Sequence, residues 1–375
     1  MKRGVLMYKT IRFIKRNAVL CIAIMAALIT SYFVRPDKEY ISYFDFKTLT
    51  CLFCVLAVVC ALKNINFFYM IAQNIVVYFK NARMCVLALV YITFIGSMLI
   101  ANDMALLTFL PLGYFVLTSC NKENLMAFVF IMQNIAANLG GMLTPFGNPQ
   151  NLYLYSKFNI PTLEFMKIMA IPFILSIVLI TITCICFVKK EELEIEKKEI
   201  KMPKLRTIIY LLLFIYSIVI VFRFVPYWTG LIIIPAFLIF MDRKALKDVD
   251  YGLLFTFVAF FIFSGNMARI DVVEKIFSTL LAKNTMLFSI FSCQFISNVP
   301  TAILLSQFTT DYAHLLIGVN IGGAGTLIAS LASLITLKEY TKNNPGKFWV
   351  YLKEFSVINF SFLIIIISIL TFLHI

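Results

Sequence analysis

Charged side chains are scarce in this chain: they make up 14% of its 375 residues, against about 25% in a typical soluble domain. With 61% of the residues hydrophobic and 38 phenylalanines, the composition excludes a soluble fold and gives an integral membrane protein. Apolar runs such as Ala18–Val34, Ile168–Val188 and Ile208–Val221 reach or approach the roughly 20 residues that span a bilayer. No small-residue cleavage site follows the first run, where Tyr32-Phe-Val-Arg-Pro36 stands, so it reads as a span and not as a signal peptide. Histidine occurs twice, as His314 and His374. An intramembrane hydrolase needs a nucleophile–base pair or two facing aspartates, and the interrupted apolar segments described below offer only Asp103. The nine cysteines are scattered mainly through apolar segments, without disulfide-like spacing in loops. Cys51-x-x-Cys54 lies in a membrane helix with no second pair or histidine nearby, so these residues read as small buried hydrophobes, not as redox or zinc ligands.

What charge there is has a pattern. The net charge of +14 is concentrated in Lys2, Arg3, Lys9, Arg12, Lys15 and Arg16, and in Lys189, Lys190, Lys197, Lys198, Lys201, Lys204 and Arg206 of a central loop tempered by five glutamates. Short basic loops of this kind face the cytoplasm, so the excess is an orientation signal and not a nucleic-acid footprint. From it the chain divides into a basic cytoplasmic N-terminus (1–17), a first membrane repeat (18–188), a cytoplasmic linker (189–206) and a second membrane repeat (207–375). Predicted crossings lie at about 18–34, 48–62, 164–188, 207–225, 227–241, 251–264 and 352–373. Residues 63–83 read as an interfacial helix, 242–250 and 338–347 as cytoplasmic loops, and 266–283 as an amphipathic stretch.

Two pairs of interruptions stand out. The apolar run from Asn124 to Ser156 is too long for one span and is broken by Asn138-Leu-Gly-Gly-Met-Leu-Thr-Pro-Phe-Gly-Asn-Pro-Gln-Asn-Leu152. Pro145 and Pro149 each remove a backbone donor and push the preceding residue out of helical geometry. Laid without gaps on 320–334, this stretch matches at Asn138/Asn320, Gly140/Gly322, Gly141/Gly323, Thr144/Thr326 and Leu152/Leu334. The same alignment sets Asn148 and Asn151 on Ser330 and Ser333. Upstream of each copy is a second polar interruption, Ala101-Asn102-Asp103 and Ser297-Asn298-Val-Pro300-Thr301. Two interrupted segments per half, in the same order, point to a secondary transporter built from repeats. Hairpins are expected over 84–121 and 284–310 and broken helices over 124–155 and 312–336. For 84–121 the loop charges fit two full spans equally well, and the analogy with the second half favours the hairpin. The predicted fold is therefore all-α: about nine crossing helices, two re-entrant hairpins and two broken helices in an inverted repeat. The N-terminus is expected in the cytoplasm and the C-terminus outside, in the plasma or inner membrane of the cell.

A half-helix that starts in mid-membrane presents free N–H groups and the positive end of its dipole, and one that ends there presents carbonyls to a cation. No Lys or Arg lies in the hairpins or broken helices, which suits an anion held by neutral dipoles and equally a neutral solute. Asp103, as an intramembrane carboxylate, reads as an ion- or proton-coupling group, with half-helix capping as the alternative. His314 reads as a solvated residue at the end of a span.

At these residues the chain resembles the ion-transporter superfamily that holds citrate transporters, arsenite permeases, sodium/proton antiporters of the same fold and divalent-anion/sodium symporters. It is most similar to the citrate-transporter-like anion permeases. The carrying motifs are Ala101-Asn-Asp103 with Pro111 downstream, Gly140–Leu152, Ser297-Asn-Val-Pro-Thr301 and Gly325-Thr-Leu-Ile-Ala-Ser-Leu-Ala-Ser333, within roughly residues 45 to 337. The resemblance implies a scaffold, a mobile transport domain, elevator-type alternating access and a homodimer. It implies a substrate site of Asn102, Thr144, Gly147, Asn148, Ser297, Asn298, Thr301, Gly325, Thr326 and Ser330, to which the residues themselves add the Asn151 amide. With Asp103 as the coupling carboxylate, Asn102 and Asn298 are expected at the coupling ion. The dicarboxylate/sodium branch carries Ser-Asn-Thr at both tips, and this chain does not, so sodium and protons both stay open as coupling ion. The expectation is a transporter of a carboxylate-like or inorganic anion in the lipid bilayer. It is not an enzyme, and it has no cofactor, no nucleic-acid partner and no metal beyond a transported Na+. A cation/proton antiporter using Asp103 is the alternative.

Overall fold

The computed structural model describes residues 17–192 and 202–374, all α-helical but for short 3-10 turns and one isolated bridge between Asn81 and Glu192. The basic residues of 1–16, and Lys197, Lys198 and Lys201 of the linker, lie outside the described residues. In chain order the helices are α1 (Ala18–Phe33), α2 (Phe46–Asn64), α3 (Phe67–Val77), α4 (Ala82–Ile100), α5 (Asn102–Ser119), α6 (Met126–Gly140), α7 (Pro149–Lys157) and α8 (Thr162–Phe187). The second half has α9 (Lys204–Val221), α10 (Trp228–Met241), α11 (Arg243–Asp248), α12 (Tyr251–Ala268), α13 (Asp271–Lys283), α14 (Thr285–Ile296), α15 (Asn298–Leu305), α16 (Tyr312–Ile321), α17 (Leu331–Asn343) and α18 (Phe348–Phe372). Among the described residues seven segments are long and apolar enough to cross a membrane: α2, α4, Glu123–Leu143, α8, α9, α12 and α18. Shorter apolar helices, among them α1, α10, α14 and α16, accompany them.

Polar residues mark the helix starts. Asp45, Asn81, Asp242, Asp250, Asn284 and Asp311 each accept from a backbone N–H in the first turn of the helix that follows, so several of the scarce acids serve as caps. Two expected loops are partly helical. Residues 242–250 contain α11, nucleated by the Asp242 cap, and α17 runs on through Lys338 and Lys342 to Asn343 instead of ending near 336. His314 is exposed beside Asp311, with Nδ1 at 2.8 Å from Oδ2. Cys51 and Cys54 are buried, whereas Cys186 is exposed.

Burial ranks the helices by place. In the most apolar window of Glu123–Leu143, 89% of residues are buried inside the protein, against 28% for α8 and 33% for α18. The interrupted segment is therefore central, while α8 and α18 turn apolar side chains such as Ile174, Ile182, Val357 and Ile364 outward, as lipid contact requires. Around the centre, α4 and α5 pack on each other and on α6, and α14 and α15 pack on each other and on or beside α16. Each pair also reaches across the molecule: α5 lies against α17, and α15 against α7. To one side, α1 runs along α12, and α2 packs with α9, α10 and α11. Asn266 Nδ2 reaches Thr30 and Ser31 hydroxyls at 3.2 Å, and Arg269 pairs with Asp37 at 2.7 Å, tying α12 to the α1 end. That guanidinium holds the exposed Asp37 carboxyl below its usual range.

Close backbone approach sets the α4–α6 contact. A Cβ on Gly140 would lie 2.2 Å from the Phe94 carbonyl oxygen and 2.7 Å from Ser97 Oγ of α4. The repeat-related Gly322 makes the matching contact, a Cβ there falling 2.9 Å from Cys293 Cβ of α14. We predict that Gly140→Ala lowers stability by about 1–3 kcal/mol, as overpacking does. A lowered thermal midpoint of the purified variant in detergent checks this, and an unchanged midpoint refutes the contact.

Candidate functional site

The two tips share one backbone form. Ala101 (φ 64°, ψ 153°) separates α4 from α5, and Ser297 (φ 73°, ψ 157°) separates α14 from α15. Non-glycine residues there carry strain of about 1–3 kcal/mol, which persists only where the surroundings enforce it. The enforcement is local and the same in both. Asn102 Oδ1 accepts from Asp103 N at 2.9 Å and Asn298 Oδ1 from Val299 N at 2.9 Å, while Ala101 O and Ser297 O begin the next helix.

The two breaks also correspond. After α6, a 3-10 turn at Gly141–Leu143 leads to Thr144, and the chain resumes as α7 behind an extended Asn148; in the second break, α17 resumes behind an extended Ser330. Thr144 Oγ1 donates to Met98 O at 2.7 Å and Thr326 Oγ1 to Gln294 O at 2.9 Å. Met98 and Gln294 each stand three residues before their tip, so the threonines clamp each break to its own hairpin. Side-chain amides satisfy the freed carbonyls. Asn151 Nδ2 lies 3.1–3.2 Å from the oxygens of Gly141, Met142 and Thr144. In the second half Gln294 Nε2 takes Gly322 O at 2.9 Å and its Oε1 accepts from Thr326 N at 2.9 Å.

Reciprocal bonds join the breaks. Asn148 Nδ2 donates to Asn320 Oδ1 at 3.0 Å, and Ser330 Oγ donates to Asn138 Oδ1 at 2.7 Å. Under the internal alignment these are one interaction made twice, once in each direction. Asn320 Nδ2 further donates to Asn151 Oδ1 at 2.6 Å, Gln150 Nε2 lies 3.3 Å from Asn320 Oδ1, and Asn102 Nδ2 reaches Asn138 Oδ1 at 3.2 Å. Asn102, Asn138, Asn148, Gln150, Asn151, Asn298, Asn320 and Ser330 are all 3% exposed or less. The second tip docks as well, with Asn298 N donating to Ala329 O at 2.9 Å and Ser297 Oγ to the same oxygen at 3.3 Å.

Every residue expected from the sequence thus falls in or beside one assembly, though not all in the same capacity. Thr301 turns its hydroxyl back to Ser297 O at 2.7 Å. Gly147 allows the break to fold, since a Cβ there would sit 2.3 Å from Gly141 O. Gly325, at φ +126°, leaves room for Gln294. Four residues at the centre were not singled out as site residues from the sequence: Asn138, Asn320, Gln150 and Gln294. The first two head the internal repeat, and that match was the signal for them; Gln150 stands inside the amide-rich break motif, and Gln294 had no signal.

Around this assembly four helices end (α4, α6, α14, α16) and four begin (α5, α7, α15, α17). Partial positive charge from the starting helices and partial negative charge from the ending ones therefore meet among buried side chains. Asp103 is the one charged residue in 97–105, 138–152, 294–301 and 320–333, and its Oδ1 is buried without a partner. Asn148 Oδ1, Gln150 Oε1 and Ser333 Oγ are likewise buried and unpartnered. Uncommitted oxygens beside helix ends suit a cation, and helix starts suit an anion. Because Asn148 and Asn320 bond directly, we predict that their single alanine variants are not additive. A double-mutant cycle on thermal unfolding should give a coupling of about 0.5–3 kcal/mol, and additive losses would break the assignment.

Comparisons with known proteins give the family. The family model described as citrate transporter matches residues 5–317, a stretch that holds both tips and the first break. An uncharacterized transporter of Methanocaldococcus jannaschii is 34% identical over 324 residues, covering 85% of this chain and 88% of its own. The inner membrane protein YbiR of Escherichia coli is 26% identical over 337 residues, covering 88% of this chain and 89% of its own. The chain is thus a multi-pass membrane transporter and not an enzyme: it belongs to the citrate transporter family.

Proposed function

We propose that this protein is a secondary active transporter of an anion, citrate- or carboxylate-like or an oxyanion, coupled to H+ or Na+. The observation that carries the reading is the meeting of four helix N-termini around a buried cluster of side-chain amides that holds no Lys or Arg. Such an arrangement recognises an anion through dipoles and N–H groups, and the adjoining carbonyl and amide oxygens serve the coupling cation.

The structural frame we infer is an inverted repeat of nine crossings, with α4–α5 and α14–α15 as re-entrant hairpins. In support, α14 has 12 residues and α15 has 8, about 18 and 12 Å of helix, too short for a hydrocarbon core of about 30 Å. The tip at Asn102 stops at the level of Asn138, where α7 has yet to begin. Both ends of the first hairpin lie beside the residues after α8: Arg83 Nε donates to Val188 O at 2.8 Å, and Lys122 pairs with Glu191. Loop charge then sets the N-terminus in the cytoplasm and the C-terminus outside, in the cell membrane, in keeping with the printed name of the Escherichia coli relative. The helices α1, α2 and α9–α12 form the scaffold of a homodimer. The tips and breaks move past it in an elevator-type cycle, with α2–α7 and α12–α15 as the sliding contacts.

The unpartnered oxygen of Asp103 favours one competing reading, a cation/proton antiporter in which that carboxylate exchanges the ions. Two experiments separate them. In a thermal-stability panel of citrate, succinate, sulfate, arsenite and sodium at several pH values, an anion should raise the midpoint of the wild type and not of Asn298→Ala, by linkage. Sodium or pH acting alone would transfer the assignment to the antiporter. In proteoliposomes Asp103→Asn should keep anion binding while losing accumulation against a gradient; loss of all ion exchange with no anion effect would sink the anion reading.

A further inference from the structure

Away from the tips, the end of the bundle formed by the start of α2 and the turn after α9 holds a cavity of about 470 Å³. It is lined by Lys47, Ile220, Arg223, Phe224, Val225, Pro226 and Tyr227. Two cations share it. Neither Lys47 nor Arg223 has an ion-pair partner among the described residues. The acid nearest in sequence, Asp45, is engaged elsewhere: Oδ1 accepts from Thr48 N at 2.9 Å and Oδ2 from Thr48 Oγ1 at 2.5 Å.

Arg223 is held in an unusual way. Its backbone is left-handed, at φ +67°, a conformation that costs a side-chain-bearing residue free energy. Its guanidinium does not extend to water as a snorkelling arginine does. It folds back over the Tyr155 ring, 4.0 Å from the centroid, and donates to Tyr155 O at 2.5 Å and to Asn159 Oδ1 at 2.6 Å. Nε is left buried with no partner. An arginine has five N–H donors in a rigid fork that matches carboxylate and phosphate oxygens. Here part of the fork is fixed by α7 and the turn after it, and part is uncommitted beside a second cation in an apolar-walled cleft. Low-dielectric walls strengthen the attraction for an anion.

We propose that the Lys47–Arg223 cavity is an anion-binding site separate from the tips and breaks, taking a phosphate or carboxylate group. The group comes either from a soluble anion or from the headgroup of an anionic lipid. Exposed Phe224 and Trp228 at its rim set the cavity at the level where aromatic side chains meet headgroups. None of the lining residues belongs to the tips or breaks, although Tyr155, which holds the guanidinium, stands on α7.

The test uses the rim itself. Trp228 follows the lining Tyr227, and the only other tryptophan is Trp349, so a full-length Trp349→Phe protein reports from the cavity by Trp228 fluorescence. One arm titrates inorganic phosphate into protein in neutral detergent. The other compares nanodiscs of phosphatidylglycerol with nanodiscs of phosphatidylcholine in phosphate-free buffer. A saturable phosphate response identifies a soluble anion, and a response to phosphatidylglycerol alone identifies a headgroup; either supports the site. In both cases Lys47→Gln and Arg223→Gln should weaken the response about tenfold or more, the loss of one charge-assisted hydrogen bond. Lys47→Gln removes no hydrogen bond that holds the turn, so it keeps the test decisive should Arg223→Gln fold poorly. No response in either arm, or one that Lys47→Gln leaves unchanged, overturns the proposal.

Discussion

Two membrane helices interrupted at their middle must satisfy their freed backbone groups inside the protein, because lipid offers no hydrogen bonds. The rest of this structure follows from how that demand is met. Asn151 and Gln294 supply amides to the carbonyls left by the breaks, and Thr144 and Thr326 tie each break to the neighbouring hairpin. The reciprocal bonds of Asn148 to Asn320 and of Ser330 to Asn138 then lock the breaks to one another. Each unmet buried group would cost about 1–3 kcal/mol, so a centre this polar holds only if its members are bonded together. The glycines serve the same end. Gly140 and Gly147 let backbone approach backbone where a methyl group would collide.

The two halves are alike in this framework and differ in what they add to it. Where the first tip has Ala101 and Asp103, the second has Ser297 and Val299. The serine hydroxyl and the Asn298 N–H anchor the second tip to Ala329 O. In the first tip the position matching Val299 carries the carboxylate instead, with one oxygen buried and free. A shared framework with an acidic residue in one tip only gives the centre a direction that a perfect repeat would lack. Charge is otherwise kept to the ends of the bundle, where Lys122 meets Glu191, Arg269 meets Asp37, and Lys47 and Arg223 share their cleft.

Much was legible before any coordinates. The scarcity of charge determined the membrane class, and apolar run length located α1, α2, α8–α10, α12 and α18 to within a few residues. Glycine, proline and amide clusters marked both tips and both breaks, because they act on the backbone where they stand. The self-alignment paired Asn148 with Ser330 and Asn138 with Asn320 as equivalent positions.

Only the tertiary structure decided which of those positions touch. The bonds that close the centre join residues 172 and 192 positions apart, and no local pattern encodes that distance. It also decided that Thr144, Thr326 and Asn151 hold the breaks together, a task their chemistry permits but their spacing does not announce. It brought in Gln294, whose neighbours in sequence are ordinary for a helix end, and gave Gln150 its partner in Asn320. And it folded Arg223 back onto Tyr155, turning what reads as one more basic residue in a loop into half of a cation pair. Composition and local chemistry determine where a chain breaks within a membrane; packing alone determines what each break meets there.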